Sequence, residues 1–394
     1  MKILQVAGSG AVGTANAGPV SSTITHLANG LAAAGHEVHV ADTPAVDNRC
    51  NLLSTVEVHE VLPRRGGARL PLSRLFGSII VARADFNALK GHIAAADYDY
   101  IHVHDGGQAL VGGLLNRGKV IWTHHGMNWT MESIHPTWGR GPRARFERWL
   151  DSAGRRAVRH MVVLNSQTRA ALGDQNVSMI PNGIDLRAWP AIDRREARRY
   201  LDIPETDFLV TYVGRVAPVK GVDVFVRAIE MAARQFQLKA DAIGSLSGMF
   251  GESDRITDYA ETVRSMGRTT AFRGFIHRDN PEYRKRLGAA DLVVVPSLTE
   301  PFGLVVLEAL ACGARVIGSD VGGIRDMLAG GRGVLVPAGD VDALACAIIE
   351  HHAQLQNGEA TQRDDIDLRK YQWERVAEQY GALMASLQPA EGGS

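Results

Sequence analysis

The sequence predicts an α/β protein made of two doubly wound, parallel-sheet domains of similar size. Three observations lead there. Short apolar runs alternate with helical stretches in two successive series, the pattern of βαβ units around a parallel sheet. The chain has 394 residues, enough for two or three domains. Its 42 glycines fit a fold with many tight strand-to-helix turns.

The first series places strands at 2–7, 37–41, 100–104, 120–123 and 161–164. The opening stretch is too short in its apolar part for a secretory signal and reads as a first buried strand. The second series places strands at 209–213, 239–243, 270–272, 292–295, 315–318 and 333–336. Between the two lie residues 180–190, a polar helix at 194–201, and Pro204-Glu205-Thr206-Asp207. That stretch is the best linker. It divides the chain into domains at 1–188 and 189–370. The tail from 388 to 394 is expected to lack order. In doubly wound sheets, ligands bind beyond the carboxyl ends of the strands. Two such domains facing one another across a cleft are therefore expected to share one site.

Composition excludes several functions. Lys plus Arg and Asp plus Glu number 43 each, and zero net charge argues against a dedicated nucleic-acid binder. Cys50, Cys312 and Cys346 are odd in number and far apart. They form neither a disulfide framework nor a Cys-rich zinc site, and they fit a reducing compartment. No run of 18 apolar residues spans a membrane. A cytoplasmic protein is expected. Charge is uneven, however: residues 1–188 carry 19 Lys and Arg against 14 Asp and Glu. The excess includes Arg64, Arg65, Arg69 and Arg74, then Arg140, Arg143, Arg145, Arg148, Arg155, Arg156 and Arg159. A solvated helix face is the plainer reading. A dock for an acidic acceptor, or a peripheral contact with an anionic membrane, is the sharper one.

Two segments imitate known sites. Gly8-Ser9-Gly10-Ala11-Val12-Gly13 follows a strand and matches G-x-G-x-x-G, but a dinucleotide site needs a helix to begin at the third glycine. Here the helical pattern begins only near Val20. Asp97-Tyr98-Asp99 resembles a metal-binding pair but precedes its strand, on the wrong side of the sheet, and reads as surface.

The most informative segment runs from Pro296 to Gly313. A strand ends in a loop carrying Glu300, and Pro301 is read as pre-setting the helix entry. The amides of Phe302, Gly303, Leu304 and Val305 would then lie at a helix N-terminus, a ready site for anionic or hydroxylated groups. Glu308 follows at a spacing that lets two carboxylates reach different parts of one ligand. The bland alternative, a capping Glu plus a solvated Glu, does not explain the whole run. A second cluster, Gly214-Arg215-Val216-Ala217-Pro218-Val219-Lys220-Gly221, sets two cations around a turn at a strand's carboxyl end. Diphosphate oxygens suit such a pair, the guanidinium as a bidentate donor and the ammonium as a point charge. Alone, the pair could equally be a surface turn.

Together these segments resemble the retaining glycosyltransferases of family 4, which have the GT-B fold. The resemblance covers nearly the whole chain. It includes Ile180-Pro181-Asn182-Gly183-Ile184-Asp185, the Gly-Arg…Lys-Gly turn, the Glu300/Glu308 E-x7-E element, Asp320-Val321-Gly322-Gly323 and the closing Tyr371-Gln372-Trp373-Glu374-Arg375-Val376-Ala377. It implies an N-terminal acceptor domain, a C-terminal donor domain, and a last helix at 371–388 that crosses back to the N-terminal domain. Arg215 and Lys220 look like the diphosphate clamp. Glu308 is similar to the carboxylate on the ribose, and Glu300 to the one on the transferred sugar. The amides at 302–305 would bind that sugar and the phosphate. Phe275 and Ile276 match the segment whose backbone reads the base, and Gly244 lines the nucleotide side. His125, ahead of the competing His124, matches the cleft histidine. Gly10, Gly13 and Gly18 of the first loop, with Asn128, Trp129 and Trp138, fall where the acceptor should bind. One departure stands out: Gly18-Pro19 replaces the family's usual glycine pair, which removes an N–H from that loop.

The implied reaction moves a hexose or N-acetylhexosamine from a nucleotide diphosphate sugar to an acceptor hydroxyl with retention. The family's frequencies put UDP first and GDP second. The resemblance implies neither a metal nor a cofactor. The acceptor class is left open among glycans, glycolipids and small glycosides, and a homodimer is compatible with the sequence. The rival readings are a nucleotide-sugar epimerase of the same fold, a non-catalytic binding subunit, and a dehydrogenase using the first glycine loop.

Overall fold

The computed structural model describes every residue except 9–11, 15–17, 46, 64–72, 117, 127–141, 174, 245–252, 360–366 and 388–394. The chain forms two compact units. One comprises Met1–Gly183 with Lys370–Ser394, the other Ile184–Arg369.

The first unit is built on seven parallel strands: β1 (Lys2–Val6), β2 (Glu37–Ala41), β3 (Val56–His59), β4 (Tyr100–Val103), β5 (Val120–His124), β6 (His160–Val163) and β7 (Val177–Met179). Their order across the sheet is β3-β2-β1-β4-β5-β6-β7. The second has six: β8 (Leu209–Val213), β9 (Lys239–Ile243), β10 (Thr270–Gly274), β11 (Leu292–Val295), β12 (Val316–Ser319) and β13 (Val334–Val336), in the order β10-β9-β8-β11-β12-β13. Both orders reverse direction beside the first strand, the switch point where doubly wound sheets place ligands. Two strands, β3 and β7, escape the sequence reading. Both are sheet edges with a partner on one side only. An edge needs no continuous apolar run, and β3 accordingly alternates as Val56-Glu57-Val58-His59.

The helix Pro19–Ala33 is capped by Gly18, with Pro19 at its first turn. Pro is favoured there because its missing N–H would have no intrahelical partner. The helix thus starts six residues beyond Gly13, which removes the geometry a dinucleotide fingerprint requires. Gly13 instead donates its N–H to Thr25 Oγ1 at 2.8 Å.

The last helix, Trp373–Leu387, packs within the first unit. Tyr380 Oη meets Thr123 Oγ1 on β5 at 2.8 Å, and Tyr100 Oη donates to the Met384 carbonyl at 2.8 Å. Trp373 stacks on His26 of the first helix with ring centroids 5.2 Å apart.

The stretch read as a linker is in fact fastened into the second unit. Arg198 of the helix Arg194–Leu201 is fully buried. Its guanidinium donates to Asp291 Oδ2 at 2.6 Å and to the carbonyls of Ala289, Pro204, Glu205 and Asp207. Asp291 also accepts from Arg194 at 2.5 Å and from the Leu209 amide at 2.7 Å. A polar helix thus docks through one buried cation, each of whose three nitrogens finds an acceptor, as burial of charge demands.

Candidate active site

In the second unit, the turn after β8 and the loop after β11 come together at the carboxyl ends of adjacent strands. Gly221 (φ 64°) allows this. A Cβ there would lie 2.0 Å from the Pro296 carbonyl oxygen, so only glycine fits. The Leu298 amide donates to the Val219 carbonyl at 2.9 Å, which ties the two segments. Lys220 Nζ is thereby brought 2.5 Å from Glu300 Oε2, and Ser297 Oγ donates to the same oxygen at 3.2 Å. The ammonium has three protons, so this pair leaves two for other acceptors. Arg215 sits half-buried on the same turn, its carbonyl accepting from Tyr212 Oη at 2.8 Å.

The helix after this loop is Leu304–Ala311, with Gly303 as its cap at φ 93°, a left-handed conformation that glycine adopts without strain. Pro301 therefore stands three residues ahead of the helix and does not open it. Phe302 also precedes the cap, and its side chain is buried. The amides of Leu304 and Val305 are those of the first turn, where the helix dipole favours negative charge. Gly323 closes the back of the loop by donating to the Glu300 carbonyl at 3.2 Å.

Glu308, on that helix, is 4% exposed. Its Oε2 accepts from Tyr283 Oη at 2.8 Å, and its Oε1 meets Arg278 Nη2 at 2.8 Å. Burial pushes its carboxyl pKa up, and Arg278 and the Tyr283 hydroxyl oppose that shift. The Arg278 guanidinium lies 5.5 Å over the Trp189 ring, which meets Tyr283 edge-on. Each Glu308 oxygen keeps a further lone pair for a ligand hydroxyl. Nearby, Gly244 follows β9 and donates to the Gly274 carbonyl at 2.9 Å. Phe275 is 67% exposed and Ile276 half-buried just beyond that contact.

The first unit carries a row of histidines at the ends of β4 and β5. His102 Nε2 meets Thr123 Oγ1 at 2.7 Å, and His104 Nδ1 meets His125 Nε2 at 2.9 Å. His104 Nε2 lies 3.3 Å from Gln5 Oε1, which only accepts. With the Gln5 amide so oriented, His104 bears its proton on Nε2, His125 bears its own on Nε2, and His125 Nδ1 is a bare acceptor. His124 is committed elsewhere: its Nδ1 accepts from the Gly126 amide at 3.2 Å and its Nε2 is 3.5 Å from Asp151. His125 is half-buried and His124 buried, so His125 is the more accessible of the two.

The family description "Glycosyltransferase Family 4" matches residues 20–188, and "Glycosyl transferases group 1" matches residues 193–357. D-inositol 3-phosphate glycosyltransferase of Salinispora arenicola is 31% identical over 351 residues, 81% of this chain and 76% of its own length. The chain belongs to glycosyltransferase family 4. As a family 4 glycosyltransferase it has the GT-B fold. Sucrose-phosphate synthase from Thermosynechococcus elongatus superposes with a TM-score of 0.80 at 24% identity, over 98% of this chain and 99% of its own. Anabaena Alr3699/HepE, solved in complex with UDP and glucose, superposes at 0.70 with 20% identity, over 98% of this chain and 100% of its own.

Of the residues singled out by sequence, the structure brings Lys220 and Glu300 together, with Arg215 on the turn that carries Lys220 and the Leu304 and Val305 amides at the start of the helix that follows Glu300. Glu308 lies four residues further along the helix. Gly13, Gly18 and His125 belong to the first unit. Gly10, Asn128, Trp129 and Trp138 lie outside the described residues. The sequence reading missed Arg278 and Tyr283, the partners of Glu308. Their only signal was position: both follow closely on Phe275 and Ile276. It also missed Gln5 and His104 behind His125. In the glycosyltransferase, no helix among the described residues is long and apolar enough to cross a membrane.

The histidine row predicts acid lability. Burial first, and neighbouring imidazoles second, hold His102 and His125 down to about 3 and His104 well below the usual histidine range. An unfolded chain protonates these rings near pH 6.5. Between that pH and about 3 the unfolded state therefore binds more protons, and stability falls as pH drops. The fully buried His102 alone contributes up to ~1.4 kcal/mol per pH unit. Urea midpoints should fall steadily from pH 7 to pH 5, and less so in His102→Asn. A flat profile would contradict the neutral row.

Proposed function

We propose that this glycosyltransferase is retaining and metal-independent, taking a hexosyl or N-acetylhexosaminyl group from a nucleotide diphosphate sugar, UDP first, to an acceptor hydroxyl. The observation that carries this reading is the Lys220–Glu300 pair, set 2.5 Å apart beside the N-terminus of the helix Leu304–Ala311. A cation and a helix dipole converge there with a carboxylate that can accept from sugar hydroxyls. On this reading Arg215, Lys220 and the Leu304 and Val305 amides hold the diphosphate. Glu300 accepts from the transferred sugar and Glu308 from the ribose. Phe275, Ile276 and Gly244 border the base, and His125 Nδ1 accepts from a hydroxyl.

The chemistry then needs no protein nucleophile. Retaining hydrolases attack the anomeric carbon with a carboxylate, but Glu300 is paired with Lys220 and Glu308 with Arg278 and Tyr283. The bond from the anomeric carbon to the diphosphate breaks, and its electron pair goes to the phosphate oxygen. The acceptor oxygen bonds the same face of that carbon, and its proton passes to the departing phosphate. Fixed positive charge on the leaving diphosphate supplies the stabilisation, in place of a divalent ion. The relative's name makes D-inositol 3-phosphate the first acceptor to try, and the basic excess of residues 1–188 suits a phosphorylated acceptor.

The test is a thermal-shift panel of UDP-, GDP-, ADP- and dTDP-sugars with EDTA present and NAD as control. One nucleotide class should raise the melting temperature, by about 2.7 kcal/mol of stabilisation at a hundredfold excess over Kd. Glu308→Gln should abolish most of that rise. Turnover with D-inositol 3-phosphate should survive EDTA and give a product of the donor's anomeric configuration by NMR. A response to NAD with silence from every nucleotide sugar would overturn the reading, as would inversion or loss of turnover in EDTA.

A further inference from the structure

At the β2–β3 edge of the first sheet lies a cluster of ring nitrogens and carboxylates that the transfer reaction does not use. His39 pairs in register with Glu57, and Ala41 with His59, so His39, Glu57 and His59 share one face of the sheet. One donor atom from each lies within 4.8 Å of the others. His39 Nδ1 and His59 Nε2 are 2.9 Å apart, and Glu57 Oε1 stands 3.6 Å from the same His59 nitrogen. His92, from the helix Ser73–Ala96, brings its ring centroid within 5.2 Å of that of His59.

We propose that His39, His59 and Glu57 bind one divalent transition ion of the zinc class and clamp the edge strand β3 to β2. Two imidazoles and a carboxylate are a donor set that zinc accepts, with water in the fourth position. The two facing ring nitrogens share one proton, and the ion replaces it. Tetrahedral bonds of about 2.0 Å would hold the nitrogens about 3.3 Å apart, an opening of only about 0.4 Å. The far side of His39 is already arranged for this. Its Nε2 faces Glu37 Oε1 at 3.1 Å, and Lys2 Nζ holds that carboxylate at 2.7 Å. A carboxylate behind a ligating histidine fixes its tautomer and orientation. Lys2 neutralises Glu37, so Glu37 acts through His39 rather than as a ligand. Tyr98 Oη, 2.8 Å from His39 Nδ1, closes the buried side and is placed to bond the water ligand. Glu57, 62% exposed at its side chain, leaves an open path for the ion.

The exposed thiols Cys50 and Cys346 would compete for zinc. The full-length chain carrying Cys50→Ser and Cys346→Ser is therefore stripped with a chelator and titrated with Zn²⁺, then with Co²⁺ followed by visible absorption. One equivalent should bind and raise the melting temperature. His59→Gln and Glu57→Gln should each weaken binding at least about 100-fold, and Glu37→Gln about 10-fold. Because Glu57 is exposed, Glu57→Gln should melt like its parent without metal, which separates lost binding from lost fold. The absence of a stoichiometric site, or equal affinity in the parent and both ligand variants, would overturn the proposal. Sugar transfer is not the readout, so the outcome is independent of the reaction proposed above.

Discussion

Replacing Lys220 by alanine should lower kcat/KM with the nucleotide-sugar donor by ~10²–10³, about 2.7–4 kcal/mol, the scale of removing one fixed electrostatic donor. The loss should fall mainly on kcat, because charge on the diphosphate grows as its bond to the sugar breaks. Lys220→Arg should recover only part of the rate, since a planar fork does not reproduce a point charge. Stability should be followed alongside the rate, because the pair is mostly buried, with Lys220 21% and Glu300 12% exposed, and a carboxylate that loses its cation there costs more than it would in an exposed pair. The Glu300→Gln variant and the double variant complete a cycle: Lys220 and Glu300 touch at 2.5 Å, so their effects should not add. Steady-state kinetics with the donor found by thermal shift decides the matter. A Lys220→Ala enzyme with near-normal kcat/KM would remove Lys220 from the diphosphate clamp.

The largest effect on stability should come from Arg198→Ala. Its guanidinium is fully buried and meets Asp291 at 2.6 Å. Removing one partner of a buried pair costs about 3–5 kcal/mol; here Asp291 loses its interior counter-ion and keeps Arg194 as its remaining cation. Here four backbone carbonyls each lose a donor as well, though that of Pro204 keeps the Asp207 amide. For a unit of this size that corresponds to a fall of roughly 6–20 °C in its melting temperature. Calorimetry suits the measurement, since two units need not melt in a single step. Arg198→Met combined with Asp291→Leu should regain part of the loss, because it removes both charges together. A change below 1 kcal/mol in Arg198→Ala would mean that water reaches this cation.

Eleven of the thirteen strands among the described residues are visible in the amino-acid sequence, because strands of a buried parallel sheet are mostly apolar. The loop that gathers Lys220, Glu300 and the helix amides was legible too, because its residues lie in two short segments, each at the end of a recognisable strand. The family followed from those same segments. Local pattern could not reveal the helix start. Pro301 looks like a first-turn residue, yet the left-handed cap at Gly303 delays the helix to Leu304.

What tertiary structure alone decided is where charges and ring nitrogens find partners. Glu308 meets Arg278 and Tyr283 from a segment 25 or more positions earlier in the chain. Arg198 reads as a solvated cation on a polar helix until the fold brings Asp291 to it from 93 positions away. His104 acquires its meaning from Gln5, 99 residues earlier, which the direct pairing of β1 with β4 brings beside it. The edge strand β3, too faint for the sequence pattern, is what carries His59 to His39. The physical reason is the same in each case. Burial of apolar groups is written locally, one period at a time, whereas a polar group's partner is chosen by strand order and register, which no local window contains.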